Sequence, residues 1–124
     1  AGPEQIEMLE KLRFPLKKFV WVHAQNEKDH AIHAAAARAG AWVEFDGISP
    51  ASTPWHLACV RAMQSQNLLH RVLISHDSGW WHVGEPSGGN FRGYTSLYQD
   101  FAPQLPAQVL QQLLWDNPRT AFGK

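Results

Sequence analysis

The chain has 124 residues, 44% hydrophobic and 18% charged, with 11 Lys+Arg set against 11 Asp+Glu. This suits one folded domain and excludes a disordered chain; the zero net charge excludes a nucleic-acid binder that works by neutralising phosphates. No apolar run approaches the roughly 20 residues of a membrane helix, and the single cysteine, Cys59, excludes an internal disulfide and a cysteine-based zinc cluster.

In chain order, residues 4–13 (EQIEMLEKLR) carry Ile6, Met8, Leu9 and Leu12 between charges and predict a short amphipathic helix that stops before Pro15. Residues 19–24 (FVWVHA) form an apolar, aromatic and β-branched run, the mark of a buried strand, with His23 at its end. Asn26 is the expected N-cap of a helix over 27–39, with Asp29 in its first turn. The Ala34-to-Ala37 centre allows close packing on a sheet, and Gly40 stops the helix.

Residues 41–45 (AWVEF) predict a second strand, ending at Asp46-Gly47. Thr53 as N-cap and Pro54 at the first helical position open a helix that ends near Asn67. The third strand spans 72–75 and leads through His76 and Asp77 into a loop rich in Gly and Trp. Residues 94–101 and 107–115 predict helices separated by Pro103 and Pro106, and Asn117-Pro118 opens a last turn with Phe122 as its anchor.

Strands alternating with helices imply βαβ units and a parallel sheet, an α/β fold. Three parallel strands leave two unpaired sheet edges, poor economy for a soluble domain. The expectation is therefore a piece of something larger, or a protomer completed by another chain. The lone cysteine fits a reducing, cytoplasmic setting.

The three strands end in His23, Asp46 and Asp77, which a parallel sheet brings to one side. Imidazole and carboxylates converging there can hold a divalent metal and make a nucleophile of water near neutral pH. The alternative is that both aspartates cap turns and His23 is a hydrogen-bonded core histidine. Ser75-His76-Asp77 is not a triad, because adjacent strand residues point to opposite faces. His30 and His33, three apart on one helix face, lack the spacing of a zinc-protease helix and read as solvated surface, as does His56. Cys59 falls on the buried face of its helix with no activating neighbour. Trp80, Trp81, Phe91, Arg92 and Tyr94 sit in or after the loop behind Asp77. They suit either an acyl or aryl pocket, with Arg92 on a carboxylate or phosphoryl oxygen, or a hydrophobic plug or oligomer contact.

The segments FVWVHAQNEKD, WVEFDGIS, RVLISHDSGWWHVGEPSGGNFRGYTSLYQDF and LLWDNPRTAF resemble the C-terminal part of phosphotriesterase-like proteins of the amidohydrolase superfamily, over residues 14–122. The resemblance implies a partial (β/α)8 TIM barrel of three parallel strands with helices, strands six to eight, formed by residues 1–124 as a single segment. It implies a metal-dependent hydrolase in which a metal-bound hydroxide attacks an ester, lactone or phosphoester, with a divalent metal, zinc, binuclear in the complete site. Carried over, His23 is a metal ligand, Asp77 is metal ligand and catalytic proton handler, Asp46 closes strand seven, and Trp80, Trp81 and Arg92 bind substrate. The family's remaining ligands, a His-x-His, a carboxylated lysine and a further histidine, have no place here. Gly47 stands where some phosphotriesterases carry a histidine, and Asn26 stands at an acidic relay position. The isolated chain is thus expected to be inactive, its partner being the missing N-terminal part of the barrel or further copies of itself. The rival expectation is a non-catalytic truncated barrel that self-associates through its open edges.

Overall fold

A computed structural model describes residues 2–123. Three parallel strands, β1 (Val20–Trp21), β2 (Trp42–Phe45) and β3 (Val72–Ile74), form a sheet in the order β1-β2-β3. Helix α1 (Gly2–Lys11) precedes β1, α2 (His30–Arg38) joins β1 to β2, and α3 (Thr53–Ser65) joins β2 to β3. Among the described residues, no helix is long and apolar enough to cross a membrane.

The register pairs Val20 with Trp42, Trp21 with Val43, and Phe45 with Ile74. Side chains alternate along a strand, so Trp21, Val43, Phe45 and Val72 share one face. These join Ala34, Ala37, Leu57, Val60 and Met63 in the hydrophobic core. Each fully buried Phe, Met or Val there contributes about 1.5–3 kcal/mol. The opposite face carries Val20, Trp42, Glu44, Leu73 and Ser75. Ala34, Ala36 and Ala37 are buried while Ala35 is exposed, so the small residues of α2 let it lie close on the sheet.

Several boundaries differ from the sequence expectation for identifiable reasons. Strand β1 is cut to two residues because His23 adopts a left-handed backbone, φ 56°, and turns the chain into a 3₁₀ turn, Ala24–Asn26. Asp29, not Asn26, caps α2, its carboxylate accepting from the Ala31 N–H at 2.8 Å. Helix α3 begins at Thr53, whose hydroxyl donates to Ser49 O at 2.8 Å, so Ser52 takes the cap position.

The C-terminal part is a broken helical run. A π turn, Leu97–Phe101, passes into a 3₁₀ turn, Ala102–Gln104. After Pro106 come α4 (Ala107–Gln111), a second π turn (Gln112–Asp116) and α5 (Asn117–Phe122). Pro118 has no N–H for the usual helical bond, and the backbone widens just ahead of it, the Asn117 N–H reaching Gln112 O. Leu97, Phe101, Leu105, Val109 and Leu113 close the core from this side. The anchor of the last turn is Asn117, 3% exposed, not Phe122, which is 68% exposed. Asn117 Nδ2 donates to Leu69 O and Val72 O, both at 2.7 Å, tying α5 to the start of β3.

Candidate functional site

The three strands end on one side of the sheet, and there His23, Asp46 and Asp77 bring their ligand atoms within 4.8 Å of one another. Strict alternation would put His23 on the helix-covered face with Trp21. The left-handed turn at His23 breaks that alternation, and its Nδ1 lies 2.6 Å from Asp46 Oδ2. Asp77 is left-handed as well, φ 44°. Non-glycine residues in this region cost free energy and concentrate at functional sites.

Asp46 is 4% exposed and fully engaged. Its Oδ1 accepts from Gln25 Nε2 at 2.6 Å, while its own backbone N–H donates to Gln25 Oε1 at 3.1 Å. His56 Nε2 lies 2.6 Å from the Asp46 carbonyl, and its Nδ1 2.9 Å from Ser52 O. Burial alone would raise the Asp46 carboxyl. Its contact with His23, the neighbouring Glu44 carboxyl and the hydrogen bond from Gln25 outweigh that and hold it below the usual range. In return, the hydrogen bond from His23 to Asp46, and then the Asp46 charge, raise the His23 imidazole above its ordinary value.

Beneath this layer lies Glu44, two residues before Asp46 on the same face of β2. Its Oε1 accepts from Ser75 Oγ at 2.7 Å, and its buried Oε2 has no hydrogen-bond partner. Burial pushes its carboxyl up to about 7, with the neighbouring Asp46 adding to the rise. His76 points elsewhere, its ring against Tyr94 and Tyr98 and its buried Nε2 without a partner.

The loop behind Asp77 folds back on itself. The Gly79 N–H donates to Arg92 O at 2.9 Å. Arg92 donates from Nε to Ser78 Oγ at 3.1 Å, from Nη2 to Asp77 O, and from Nη1 to Gly47 O at 3.5 Å. One guanidinium thereby joins both ends of the loop and reaches across to the end of β2. Trp80 Nε1 donates to Asp77 O at 3.1 Å. Trp80 and Trp81 are both exposed. Trp80, His82, Asn90 and Arg92 line a depression of about 300 Å³. A second groove, about 490 Å³, follows the outer edge of β1 and includes Trp21, Val22 and His23.

Two expectations are corrected. His33 and His56 are buried, 0% and 2% exposed, not solvated: each imidazole sits against backbone carbonyls, His33 Nε2 lying 2.8 Å from Ala24 O. Cys59 is fully buried as expected, and burial pushes its thiol up to about 12. Sequence reasoning missed Gln25, Glu44 and His56. Only Glu44 left a signal, as a charge inside the apolar run AWVEF.

The donor set of the strand-end cluster, one imidazole and two carboxylates, suits a divalent cation of the hard-to-borderline kind.

The sequence model of the Phosphotriesterase family matches residues 1–122. No curated protein matches the chain. Among solved structures, organophosphorus hydrolase from Deinococcus radiodurans superposes with a TM-score of 0.82 at 22% identity, over 98% of this chain and 42% of that one. A single-substitution variant of the same enzyme gives the same TM-score and identity over 43% of its length. A third structure, from work on engineering organophosphate hydrolysis out of a weak promiscuous lactonase template, gives 0.82 and 22% over 44% of its length. The chain thus spans less than half the length of these structures, and its fold is that of a partial (β/α)8 barrel. With the family's sequence pattern running through all three strands and the helices between them, the chain belongs to the Phosphotriesterase family.

Proposed function

We propose that this chain supplies one arc of the active site of a metal-dependent hydrolase acting on esters, lactones or phosphoesters. The observation that carries the reading is the convergence of His23, Asp46 and Asp77 at the C-terminal end of a parallel sheet, where barrel enzymes keep their chemistry. His23 and Asp77 would hold the ion, zinc by the family resemblance, and Asp46 stands at hydrogen-bond distance from His23. When bound, such an ion supplies Lewis acidity and a lowered water pKa.

The chain's own residues do the rest. An Asp77 carboxylate oxygen takes the proton given up by the attacking water and returns it to the leaving group. Trp80 and Trp81 offer apolar surface to the acyl or aryl part of the substrate. Arg92, beside Trp80 in the same depression, meets the developing oxyanion. The further ligands come from polypeptide beyond these residues, either the remaining strands of a barrel or other copies of the chain, and the isolated chain turns nothing over.

Elemental analysis of the purified protein tests this. Zinc, manganese or cobalt retained in wild type and lower by one equivalent in His23→Ala and Asp77→Asn supports the site. Equal metal content in all three proteins, or none after supplementation, refutes it.

A second reading rests on the sheet edges. Among the described residues the outer edges of β1 and β3 pair with no strand, and such edges seek partners. On this reading the chain is a non-catalytic scaffold that self-associates. Gel filtration giving a monomer at all concentrations removes it.

A further inference from the structure

A second cluster of ligand-type side chains lies on the far side of the sheet, between α2 and α3. His30, His33 and Cys59 bring a ring nitrogen each and the Sγ within 4.8 Å of one another. Two helices supply them: His30 and His33 lie one turn apart at the start of α2, and Cys59 faces them from α3. We propose that these three residues form a separate metal site for a borderline-soft d10 cation, zinc(II), independent of the strand-end cluster.

Three observations carry this. The first is tautomer. His33 Nε2 lies 2.8 Å from the Ala24 carbonyl, which can only accept, so Nε2 holds the proton and Nδ1 presents a bare lone pair. That is the orientation a backbone carbonyl imposes on metal-ligating histidines.

The second is spacing. His30 Nδ1 and His33 Nδ1 stand 3.4 Å apart. That is at the long end for a hydrogen bond, N–H···O bonds spanning about 2.7–3.2 Å. It matches two nitrogens on one tetrahedral ion, which bonds of about 2.0–2.1 Å place roughly 3.3 Å apart.

The third is enclosure and access. His33 and Cys59 are fully buried, while His30 is half-buried and opens to solvent. The His30 ring is stacked on Trp55 at 4.9 Å, and Trp55 is fixed by its Nε1 donating to Gln25 O at 2.9 Å. A nearby cation, Lys28, sits over the Trp55 ring, its Nζ 4.6 Å from the centroid. The cluster contains no carboxylate, so two imidazoles and one thiolate select against magnesium and calcium and for zinc.

On binding, the Cys59 S–H bond breaks, the sulfur–metal bond forms, and the proton leaves to water. A water molecule completes a four-coordinate shell.

Cobalt(II) tests the proposal, because only a thiolate ligand gives a near-ultraviolet sulfur-to-cobalt charge-transfer band and Cys59 is the sole cysteine. The purified protein is titrated with cobalt(II) both folded and during refolding. The expected result is a charge-transfer band at one cobalt per chain, bleached by zinc. Cys59→Ala and His30→Ala, each checked for native circular dichroism, abolish it, whereas His23→Ala and Asp77→Asn keep it. Absence of the band under both loading regimes overturns the proposal, as does a band undiminished in His30→Ala. The strand-end cluster contains no sulfur, so its own metal binding neither produces nor removes the signal.

Discussion

Gln25 and Asp46 hold each other by two hydrogen bonds, the side-chain amide donating to Oδ1 at 2.6 Å and the Asp46 N–H returning to Oε1 at 3.1 Å. Gln25 lies in the 3₁₀ turn that the left-handed His23 starts. The same turn that presents His23 therefore aims the carboxylate beside it. Gln25→Ala leaves Asp46 free to rotate and His23 without a fixed partner. Metal affinity at the strand ends falls on the order of 10–100-fold, the usual loss for an outer partner of a ligand. Isothermal titration in a Cys59→Ala background measures it, and an unchanged affinity would show that Gln25 is only a turn residue.

Asn117 bridges two buried carbonyls, Leu69 O and Val72 O. Asn117→Ala strands both and costs about 1–3 kcal/mol. Asn117→Asp costs more, since an ionised carboxylate there faces two acceptors with no donor. Urea unfolding followed by tryptophan fluorescence reads both, and a midpoint shared with wild type would sink the assignment.

Burial pushes the Glu44 carboxyl from 4.5 to about 7. Between those values the folded state keeps a proton that the unfolded state has released, so folding stability falls as pH rises through that window. In chelator-treated protein this group loses on the order of 3 kcal/mol across it. Glu44→Gln removes the loss and is the more stable protein above pH 7. Wild-type and variant stability profiles that run parallel across this range would rule Glu44 out as the source.

Gly79 sits at φ 78°, and a Cβ there would overlap Tyr94 Oη. Gly79→Ala strains the backbone by about 1–3 kcal/mol and displaces Tyr94, loosening the bond from Gly79 N–H to Arg92 O. Amide hydrogen exchange should speed up across residues 77–92 and stay unchanged in β2. Equal exchange in the loop would mean that Arg92 alone holds it.

Periodicity and turn chemistry were enough to read the βαβ order. FVWVHA, AWVEF and VLIS each carry the apolar character of a buried parallel strand, and Gly40 lies at φ 108°, where the end of α2 needs it. Parallel topology puts His23, Asp46 and Asp77 at the same end of the sheet, but the left-handed turn at His23 is what carries its ring to Asp46. Phe122 misled because hydrophobicity alone does not say which side of a helix faces inward. Asn117 holds α5 through carbonyls that are distant in sequence.

By itself the sequence determined the alternation of strands and helices, the parallel sheet and the polar residue at each strand end, all of which depend on local propensity and short-range pattern. Only the tertiary structure decided which polar groups were buried and what they met. Gln25 reaches Asp46 across 21 positions, Ser75 reaches Glu44 across 31, and Arg92 reaches Gly47 across 45. His33, ordinary in its helix, acquires its tautomer from a carbonyl on another element and its neighbour Cys59 from a third. Hydrogen-bond partners and burial are set by where separate elements pack, and spacing along one element does not encode that.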